Sequence, residues 1–191
     1  MKLLEERIQK DGIVLPGNVL KVGSFINQQL DVDFLMRLGD EIARLYKDAG
    51  VTKILTIESS GIAIAVAAAA HMHLPVVFAK KSKSSNQSAS VYHATITSFT
   101  HGNTYEATVA TEYLSKDDVI LIIDDFLATG EALRGLMEIV SSAGATLAGC
   151  AIAIEKGFQG GGDALRQKGV RVESLAIVES MSPEGGVVFR Q

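Results

Sequence analysis

The chain has 191 residues, of which 47% are hydrophobic and 21% are charged, a composition that fits one domain with a sizeable core rather than a membrane protein. Its 18 lysine and arginine residues against 22 acidic residues give a net charge of −4, so we do not expect nucleic acid as a partner. Local basic positions, such as Lys80 and Lys81, suit a small anionic ligand better. We therefore expect a single domain over residues 1–191 that acts on a small molecule.

The N-terminal part of the chain predicts two helices separated by an irregular segment. A short helix is expected over residues 3–10. The irregular residues 12–29 follow it, with a turn at residues 16–18 and partly extended backbone over residues 19–25. Asp31 is a suitable N-cap, after which apolar residues recur at helical spacing until Gly50 ends the second helix.

Strands then alternate with helices along the rest of the chain. This alternation predicts right-handed crossovers and an α/β fold with a mostly parallel central sheet. The nearly unbroken apolar character of two of the strands indicates that helices cover both faces of the sheet. The predicted strands cover residues 53–57, 75–79, 119–123, 146–154, 170–178 and 186–189, with a hairpin of residues 90–99 and 106–110 that turns at residues 101–103, and the predicted helices cover residues 61–73, 130–143 and 163–168.

Several features of the sequence indicate a cytoplasmic protein. Cys150 is the single cysteine, so no disulfide forms within the chain, which agrees with a reducing cytosol. The small-residue-rich run over residues 59–74 is too short and too polar to cross a bilayer, which needs about 20 apolar residues. Residues 1–10 lack the apolar core of a secretory signal. We expect no association with a membrane.

The segment over residues 119–132 carries the strongest functional signal. A buried strand over residues 119–123 ends in Asp124 and Asp125, and a turn of small residues then opens a helix. Small residues let the backbone approach a phosphate, and the first N–H groups of a helix are unpaired and point towards it. The sequence therefore predicts a phosphate site in this turn. Its candidate residues are Ala128, Thr129, Gly130, Glu131 and Ala132.

The two carboxylates cannot face a phosphate, so they are assigned to another part of the ligand. Vicinal hydroxyls of a ribose are natural partners, bound directly or through magnesium-bound water. Glu131 is the odd feature, because it places an acid beside the phosphate; it either points outward or caps the first turn of the helix. The alternative is that Asp124 and Asp125 only end a strand at the surface.

Two further loops follow predicted strands, where ligands of parallel sheets bind. Residues 58–61 lie between a strand and a helix and offer N–H and hydroxyl groups, although an ordinary tight turn is the alternative. Lys80 and Lys81 follow the next strand and either neutralise phosphate charge or form a solvated strand end. The polar, serine-rich residues 83–90 predict either a mobile lid or a flexible connection to the hairpin.

The acidic pair, two spacer residues and Ala128-Thr129-Gly130 together resemble the signature of type I phosphoribosyltransferases. From residue 3 to residue 189 the chain is similar to the bacterial xanthine phosphoribosyltransferase family. The matching stretches are residues 19–22, 24–25, 27, 56–63, 75–79, 124–128, 154–156 and 158–159.

The resemblance implies the type I phosphoribosyltransferase fold, with a small hood and a β-hairpin lid added to the central sheet. The hood would be contributed by about residues 1–30 and the C-terminal part. It also implies transfer of the phosphoribosyl group of phosphoribosyl pyrophosphate (PRPP) to xanthine in purine salvage. Mg²⁺ is the expected cofactor, bound through PRPP with Asp124 and Asp125 as candidate contacts, and a homodimer is the expected assembly.

Individual site residues follow from the same resemblance. The acidic pair, Asp124 and Asp125, is assigned to catalysis, and no general base is assigned. Lys156 would donate to one ring carbonyl of the purine and Asn27 to the second, while Phe126 offers a face for stacking. The complete base-binding set is Leu20, Asn27, Phe126 and Lys156, and the pyrophosphate-binding set is Ser59, Ser60, Gly61 and Lys81.

Three alternatives remain open from the sequence. The nearest is the same reaction with guanine, hypoxanthine or adenine as the base. The second is a non-catalytic regulator of the same fold that senses PRPP and binds nucleic acid; residues 1–30 are too few for an added DNA-binding domain. The third is a dinucleotide-binding protein, which we rank last because no Gly-x-Gly-x-x-Gly motif follows a predicted strand.

Overall fold

The computed structural model of the chain describes residues 1–82, 90–97 and 104–191. These residues form five α-helices and ten strands, most of them where the sequence predicts them. The helices are α1 (Lys2–Asp11), α2 (Val32–Tyr46), α3 (Gly61–Met72), α4 (Glu131–Ser142) and α5 (Gly161–Gln167). The strands are β1 (Ile13–Leu15), β2 (Val19–Lys21), β3 (Lys53–Ile57), β4 (Val76–Ser82), β5 (Val91–Thr97), β6 (Thr104–Ala110), β7 (Val119–Leu127), β8 (Thr146–Lys156), β9 (Val172–Ser182) and β10 (Gly186–Phe189).

Eight of the strands form one sheet in the order β10-β9-β8-β7-β3-β4-β6-β5, and β1 pairs with β2 separately. The five central strands, β9, β8, β7, β3 and β4, are parallel to one another. Antiparallel pairing occurs only towards the two edges, where β10 joins β9 and the β5–β6 hairpin joins β4. The expected mostly parallel sheet is therefore confirmed.

Helices cover both faces of this sheet, which explains the continuous apolar character of the central strands. Successive side chains of a strand point to opposite faces. Leu121 and Ile123 accordingly join the apolar cluster beneath α2 and α3, whereas Ile120 and Ile122 join the cluster beneath α4. Because both faces are buried, a polar residue within β7 needs a functional or structural reason.

The N-terminal segment is more ordered than the sequence predicts. The turn at residues 16–18 and the extended backbone from residue 19 belong to the β1–β2 hairpin, whereas the π-helical turn over Gly23–Asn27 was not expected; its Phe25 and Ile26 are fully buried. Asp31 is the N-cap of α2, as expected, because its carboxylate accepts from the backbone N–H of Phe34 at 3.2 Å. Since α1 packs against β9 and β10, the N-terminal residues lie beside the C-terminal strands.

Four strands extend beyond their predicted ends, and the corresponding predictions were wrong. β8 continues from residue 154 to Lys156, and β9 continues from residue 178 to Ser182. The other two are β7 and β4. β7 was expected to end at Ile123, but it continues through the acidic pair to Leu127, which pairs with Glu155 of β8. β4 continues through Lys80 and Lys81, because residues of β6 pair with them. In both cases pairing with a neighbouring strand outweighs the polar character of the residues.

The predicted pairing of the two hairpin strands is present between β5 and β6, which pack on α4, although β6 begins at Thr104 rather than at residue 106 and the predicted strand residues 98–99 lie outside the described residues. Ile96 of β5 lies so close to Gly135 that a Cβ at this glycine would lie 2.5 Å from the Ile96 side chain. The predicted hairpin turn at residues 101–103 and the proposed lid, residues 83–90 apart from Ser90, lie outside the described residues.

Candidate active site

The carboxyl ends of β3, β7 and β8 lie side by side, so the loops that follow them meet at one edge of the sheet. A cavity of about 130 Å³ opens there. Residues 126–133, which join β7 to α4, line its floor, and Ile96, Thr97 and Tyr105 of the hairpin close one side. The predicted sugar-phosphate segment therefore lines a concave site.

Asp124 is the buried member of the acidic pair, with 6% of its surface exposed. Its Oδ1 accepts from the backbone N–H of Asp125 at 2.9 Å. A Cβ on Gly61 would lie 2.8 Å from this Oδ1 and would overlap Thr56 Oγ1, a buried hydroxyl that has no hydrogen-bond partner among the described residues. Burial, followed by the charge of Asp125, raises the pKa of Asp124 well above its ordinary value. Because a Cβ at residue 61 would collide with Thr56 and Asp124, a glycine is required there.

Asp125 is only partly buried and contacts the N-terminal segment. Its Oδ2 accepts from Asn27 Nδ2 at 3.1 Å, although the two residues are 98 positions apart. The sequence assigns Asp125 to the sugar and Asn27 to the base, and the structure brings the two side chains into direct contact. The sugar and base ends of the predicted site are thus adjacent.

The turn between β7 and α4, residues 128–130, is here called the phosphate loop. Gly130 has φ +89°, a conformation that favours glycine, and it precedes the first residue of α4. Arg134 donates to the carbonyl oxygen of Thr129 at 2.9 Å and forms an ion pair with Glu131. Glu131 is therefore neutralised by a cation one helical turn away.

The loop after β3 lies next to the acidic pair, because Gly61 packs against Asp124. Ser59 is exposed, Ser60 is half-buried, and the peptide bond between Glu58 and Ser59 is cis. Glu58 Oε1 accepts from the backbone N–H of Lys81 at 2.5 Å, which ties this loop to the end of β4. Lys81 Nζ lies 5.2 Å from the ring centroid of Tyr105. The ends of β3 and β4 are thus joined through Glu58 and the Lys81 backbone, and the assignment of Ser59, Ser60, Gly61 and Lys81 to pyrophosphate stays a prediction.

Two of the base-binding candidates, Lys156 of β8 and Phe126 of β7, lie close together. Lys156 is half-buried, donates to the carbonyl oxygen of Asn18 at 2.9 Å, and holds its Nζ 5.5 Å from the centre of the Phe126 ring. Burial lowers the pKa of Lys156. Leu20, two residues beyond Asn18, is 6% exposed and belongs to the core. The cation and the aromatic ring assigned to the base are therefore neighbours.

Sequence reasoning missed three groups of this site. Tyr105 lines the cavity, and burial followed by the charge of Asp124 raises its pKa, but it stands in an alternating strand without a motif. The carbonyl oxygen of Asn18 is a backbone atom, so no residue type in the sequence points to it. Arg134 had a usable signal, because it lies three residues after Glu131, the spacing of an ion pair on a helix.

No group of three or more histidine, cysteine or acidic residues that would hold a metal occurs within residues 1–82, 90–97 and 104–191. Over the same ranges, none of the helices is both long enough and apolar enough to span a membrane.

Comparisons with known proteins show the family of the chain. The phosphoribosyl transferase domain matches residues 30–175. The chain is 53% identical to a xanthine phosphoribosyltransferase of Lachnoclostridium phytofermentans, covering 100% of this chain and 98% of that one. It is 54% identical to a xanthine phosphoribosyltransferase of Bifidobacterium longum, with 100% of both chains covered.

Solved structures with the same fold include two adenine phosphoribosyltransferases. The enzyme of Trypanosoma brucei gives a TM-score of 0.75 at 20% identity, covering 93% of this chain and 80% of that one. The enzyme of Rhodothermus marinus gives 0.74 at 19% identity, covering 93% and 99%. The similarity to these structures shows the fold, and the relatives of similar sequence show which group of phosphoribosyltransferases the chain belongs to. The chain therefore belongs to the phosphoribosyltransferase family and, within it, to the bacterial xanthine phosphoribosyltransferases.

Proposed function

We propose that the protein transfers the 5-phosphoribosyl group of PRPP to xanthine, giving xanthosine 5′-monophosphate and pyrophosphate in purine salvage. The observation that carries the proposal is the meeting of three groups at one edge of the sheet. These are the acidic pair at the end of β7, the phosphate loop, and Lys156 beside the Phe126 ring. The xanthine phosphoribosyltransferases of similar sequence support xanthine as the base.

The 5′-phosphate binds in the phosphate loop in this proposal. The first N–H groups of α4, at Glu131 and Ala132, have no partner within the helix and face an anion favourably. The hydroxyl of Thr129 adds a donor. The ion pair with Arg134 keeps the charge of Glu131 from opposing the phosphate. An acid in this turn is therefore compatible with phosphate binding.

The acidic pair holds the ribose. Carboxylates are acceptors, and the 2′- and 3′-hydroxyls are donors, so Asp124 and Asp125 suit the sugar rather than the phosphate. Positive charge develops on the sugar ring as its C1–O bond to pyrophosphate breaks. Negative charge fixed nearby stabilises that state without reorganisation. Asp124 and Asp125 are the two residues we assign to catalysis.

Pyrophosphate is assigned to the loop after β3. Ser59, Ser60 and the N–H of Gly61 are its donors, and Lys81 supplies positive charge from the end of β4. The leaving pyrophosphate carries the electron pair of the broken C1–O bond, so donors and cations aimed at its oxygens favour departure. The closure of a lid formed by residues 83–90 over this loop stays a prediction.

The base is assigned to a hood of about residues 1–30 together with the C-terminal part. Lys156 donates to a ring carbonyl of xanthine, Asn27 donates to the second, Phe126 stacks on the ring, and Leu20 lines the hood. The attacking nitrogen loses its proton as the N–C1 bond forms. A cation on the neighbouring carbonyl favours the base that has lost this proton. No residue is assigned as the proton acceptor.

Mg²⁺ fits this site through PRPP. Asp124 and Asp125 offer the oxygen ligands that this ion prefers, and the raised pKa of Asp124 marks a buried carboxyl that gains from a nearby cation. Too few acidic side chains meet among the described residues for a site made by the protein alone, so Asp124 and Asp125 would hold the ion together with oxygen atoms of PRPP. When bound, the ion neutralises charge on pyrophosphate.

The test is turnover of a panel of bases with PRPP and Mg²⁺. We expect pyrophosphate release with xanthine, and kcat/KM for guanine and hypoxanthine lower by about tenfold or more, because an unpaired buried polar group costs about 1–3 kcal/mol. A higher kcat/KM for guanine, hypoxanthine or adenine would reassign the base, and no turnover with any base would remove the enzymatic function. A cytoplasmic location also stays a prediction.

We also propose that the protein works as a homodimer. A groove of about 490 Å³ on β4 and β6 is lined mainly by apolar residues, and Phe78 and Tyr113 on it are 40% and 54% exposed. Exposed apolar patches mark interaction sites, and homodimer interfaces are their most apolar class. The family resemblance supports a second copy of the chain as the occupant.

Light scattering is expected to give the mass of a dimer for the wild type and a monomer for a Phe78→Asp/Tyr113→Asp variant. Two buried charges per subunit oppose association in this variant. Val188→Asp is the matched control, because Val188 is 53% exposed on β10, at the other edge of the sheet. A monomeric wild type, or a dimer that survives both aspartates, would move the interface elsewhere.

A further inference from the structure

Glu155 is a fully buried carboxylate that the proposed reaction does not use. It ends β8 beside Lys156 and receives two hydrogen bonds from Arg166 of α5, at 3.0 Å to Oε1 and 2.6 Å to Oε2. Ser174 of β9 donates to the same Oε2 at 2.5 Å. Both carboxylate oxygens are therefore paired, and the pair joins β8 to the short helix α5.

The first two residues of α5 fit between Glu155 and the phosphate loop. A Cβ on Gly162 would overlap Glu155 Oε1 and lie 2.5 Å from the carboxyl carbon. A Cβ on Gly161 would overlap the carbonyl oxygen of Ala128 and lie 2.5 Å from the carbonyl carbon of Thr129. The N–H of Gly161 donates to that Ala128 oxygen at 3.2 Å. A side chain at residue 161 would therefore collide with the phosphate loop, and one at residue 162 would collide with Glu155.

A second ion pair fixes the same end of α5. Asp163 accepts from Arg190 near the C-terminus at 2.9 and 3.1 Å, and Arg190 also donates to Glu179 of β9 at 2.7 Å. The helix has only seven residues, so its own hydrogen bonds fix its position weakly. Its place against the phosphate loop is therefore set by side-chain pairs.

We propose that Glu155 is a positioning residue for the sugar phosphate: through Arg166 it presses the Gly161–Gly162 start of α5 against the phosphate loop. This inference rests on the proposed binding of the 5′-phosphate in that loop. Stability alone is a poor reason for the arrangement, because a buried ion pair is often replaced by apolar residues without loss. Fixing a loop that must hold its N–H groups on a phosphate is a better one.

Glu155→Gln tests the proposal because it keeps the shape of the side chain and removes its charge. We expect KM for PRPP to rise about tenfold to a hundredfold, the effect of displacing a substrate by about 1 Å. KM for xanthine should stay within about twofold, because Lys156 is held by Asn18 and Phe126 rather than by Glu155. Direct titration of PRPP with Mg²⁺ by calorimetry should show the same weakening.

Gly161→Ala is the second variant, and it keeps every polar group of the pair. Its methyl group pushes the phosphate loop directly, so KM for PRPP should rise again, even though alanine is the better helix former. If Glu155→Gln does not fold, this variant decides the question. An unchanged KM for PRPP in Gly161→Ala would then overturn the proposal.

Tyr46→Phe is the matched control. It removes the buried hydrogen bond that the Tyr46 hydroxyl donates to the carbonyl oxygen of Cys150 at 2.8 Å. Cys150 lies on β8, as Glu155 does, but about 16 Å before it along the strand. It should lower Tm and leave KM for PRPP unchanged. Equal effects of Glu155→Gln and Tyr46→Phe on KM would reduce Glu155 to a structural role. A wild type without PRPP binding would instead remove the proposed function.

Discussion

Replacing Asp124 or Asp125 with asparagine is expected to lower kcat by about a hundredfold to a thousandfold, the effect of removing one preorganised group that stabilises charge in a transition state. The change is nearly isosteric, so the hydrogen bonds of Asp125 to Asn27 and of the backbone to residue 124 have replacements. What each variant loses is the negative charge beside the sugar. Steady-state release of pyrophosphate with PRPP, Mg²⁺ and xanthine measures the effect.

The free energy of unfolding without ligand is the control for these two variants. Burial disfavours the ionised form of Asp124 and raises its pKa, so a neutral amide at this position should cost no stability and should increase it where the carboxylate is ionised. Asp124→Asn is therefore expected to unfold at the same or a higher urea concentration than the wild type. Near-normal kinetics in both asparagine variants would exclude the acidic pair from the mechanism.

The central sheet could be predicted from the sequence because its strands are short apolar runs between turn residues. β3 over Lys53–Ile57 and β10 over Gly186–Phe189 have the predicted ends. The predicted ends were wrong where polar or charged residues continue a strand, as they do at the acidic pair of β7 and at Lys80 and Lys81 of β4, and also at the ends of β8 and β9. Backbone pairing with a neighbouring strand decides these ends, and a single strand's sequence does not contain its partner.

Candidate residues of the site could be named from a motif, but their contacts could not. The contact from Asn27 to Asp125 joins residues 98 positions apart, and that from Lys156 to the Asn18 carbonyl joins residues 138 apart. Both contacts depend on the π-helical turn and the β1–β2 hairpin, which form because Phe25 and Ile26 are buried against the rest of the core. Tertiary packing, rather than local propensity, sets this segment.

The same reasoning separates the phosphate and base ends of the site energetically. The phosphate loop is fixed by Arg134 on one side and by Gly161 on the other. Lys156 is held by the carbonyl oxygen of Asn18 and by the ring of Phe126, and neither residue belongs to the phosphate loop. Removing a contact that belongs to one end, such as that of Arg134 with Thr129 or that of Lys156 with Asn18, should therefore change mainly the KM of the substrate bound at that end.

Lys156→Met is the strongest test of the base end, because methionine keeps the apolar stem and its packing on Phe126 while removing the charged donor. We expect KM for xanthine to rise roughly tenfold to a hundredfold, since hydrogen bonds to charged groups contribute about 1.5–3 kcal/mol. KM for PRPP should not change. The preference for xanthine over adenine should fall as well, because a donor at this place favours a ring carbonyl over an amino group.

Lys168→Met is the matched control for this change. Lys168 is an exposed lysine immediately after α5, so its loss removes the same charge without touching the base end, and both KM values should stay as in the wild type. The partial burial that lowers the pKa of Lys156 also makes its replacement by an apolar side chain inexpensive, so Lys156→Met should retain the wild-type Tm. If Lys156→Met bound xanthine as tightly as the wild type, Lys156 would be a structural contact of the Asn18 carbonyl, and base recognition would have to rest on Asn27 and Phe126 alone.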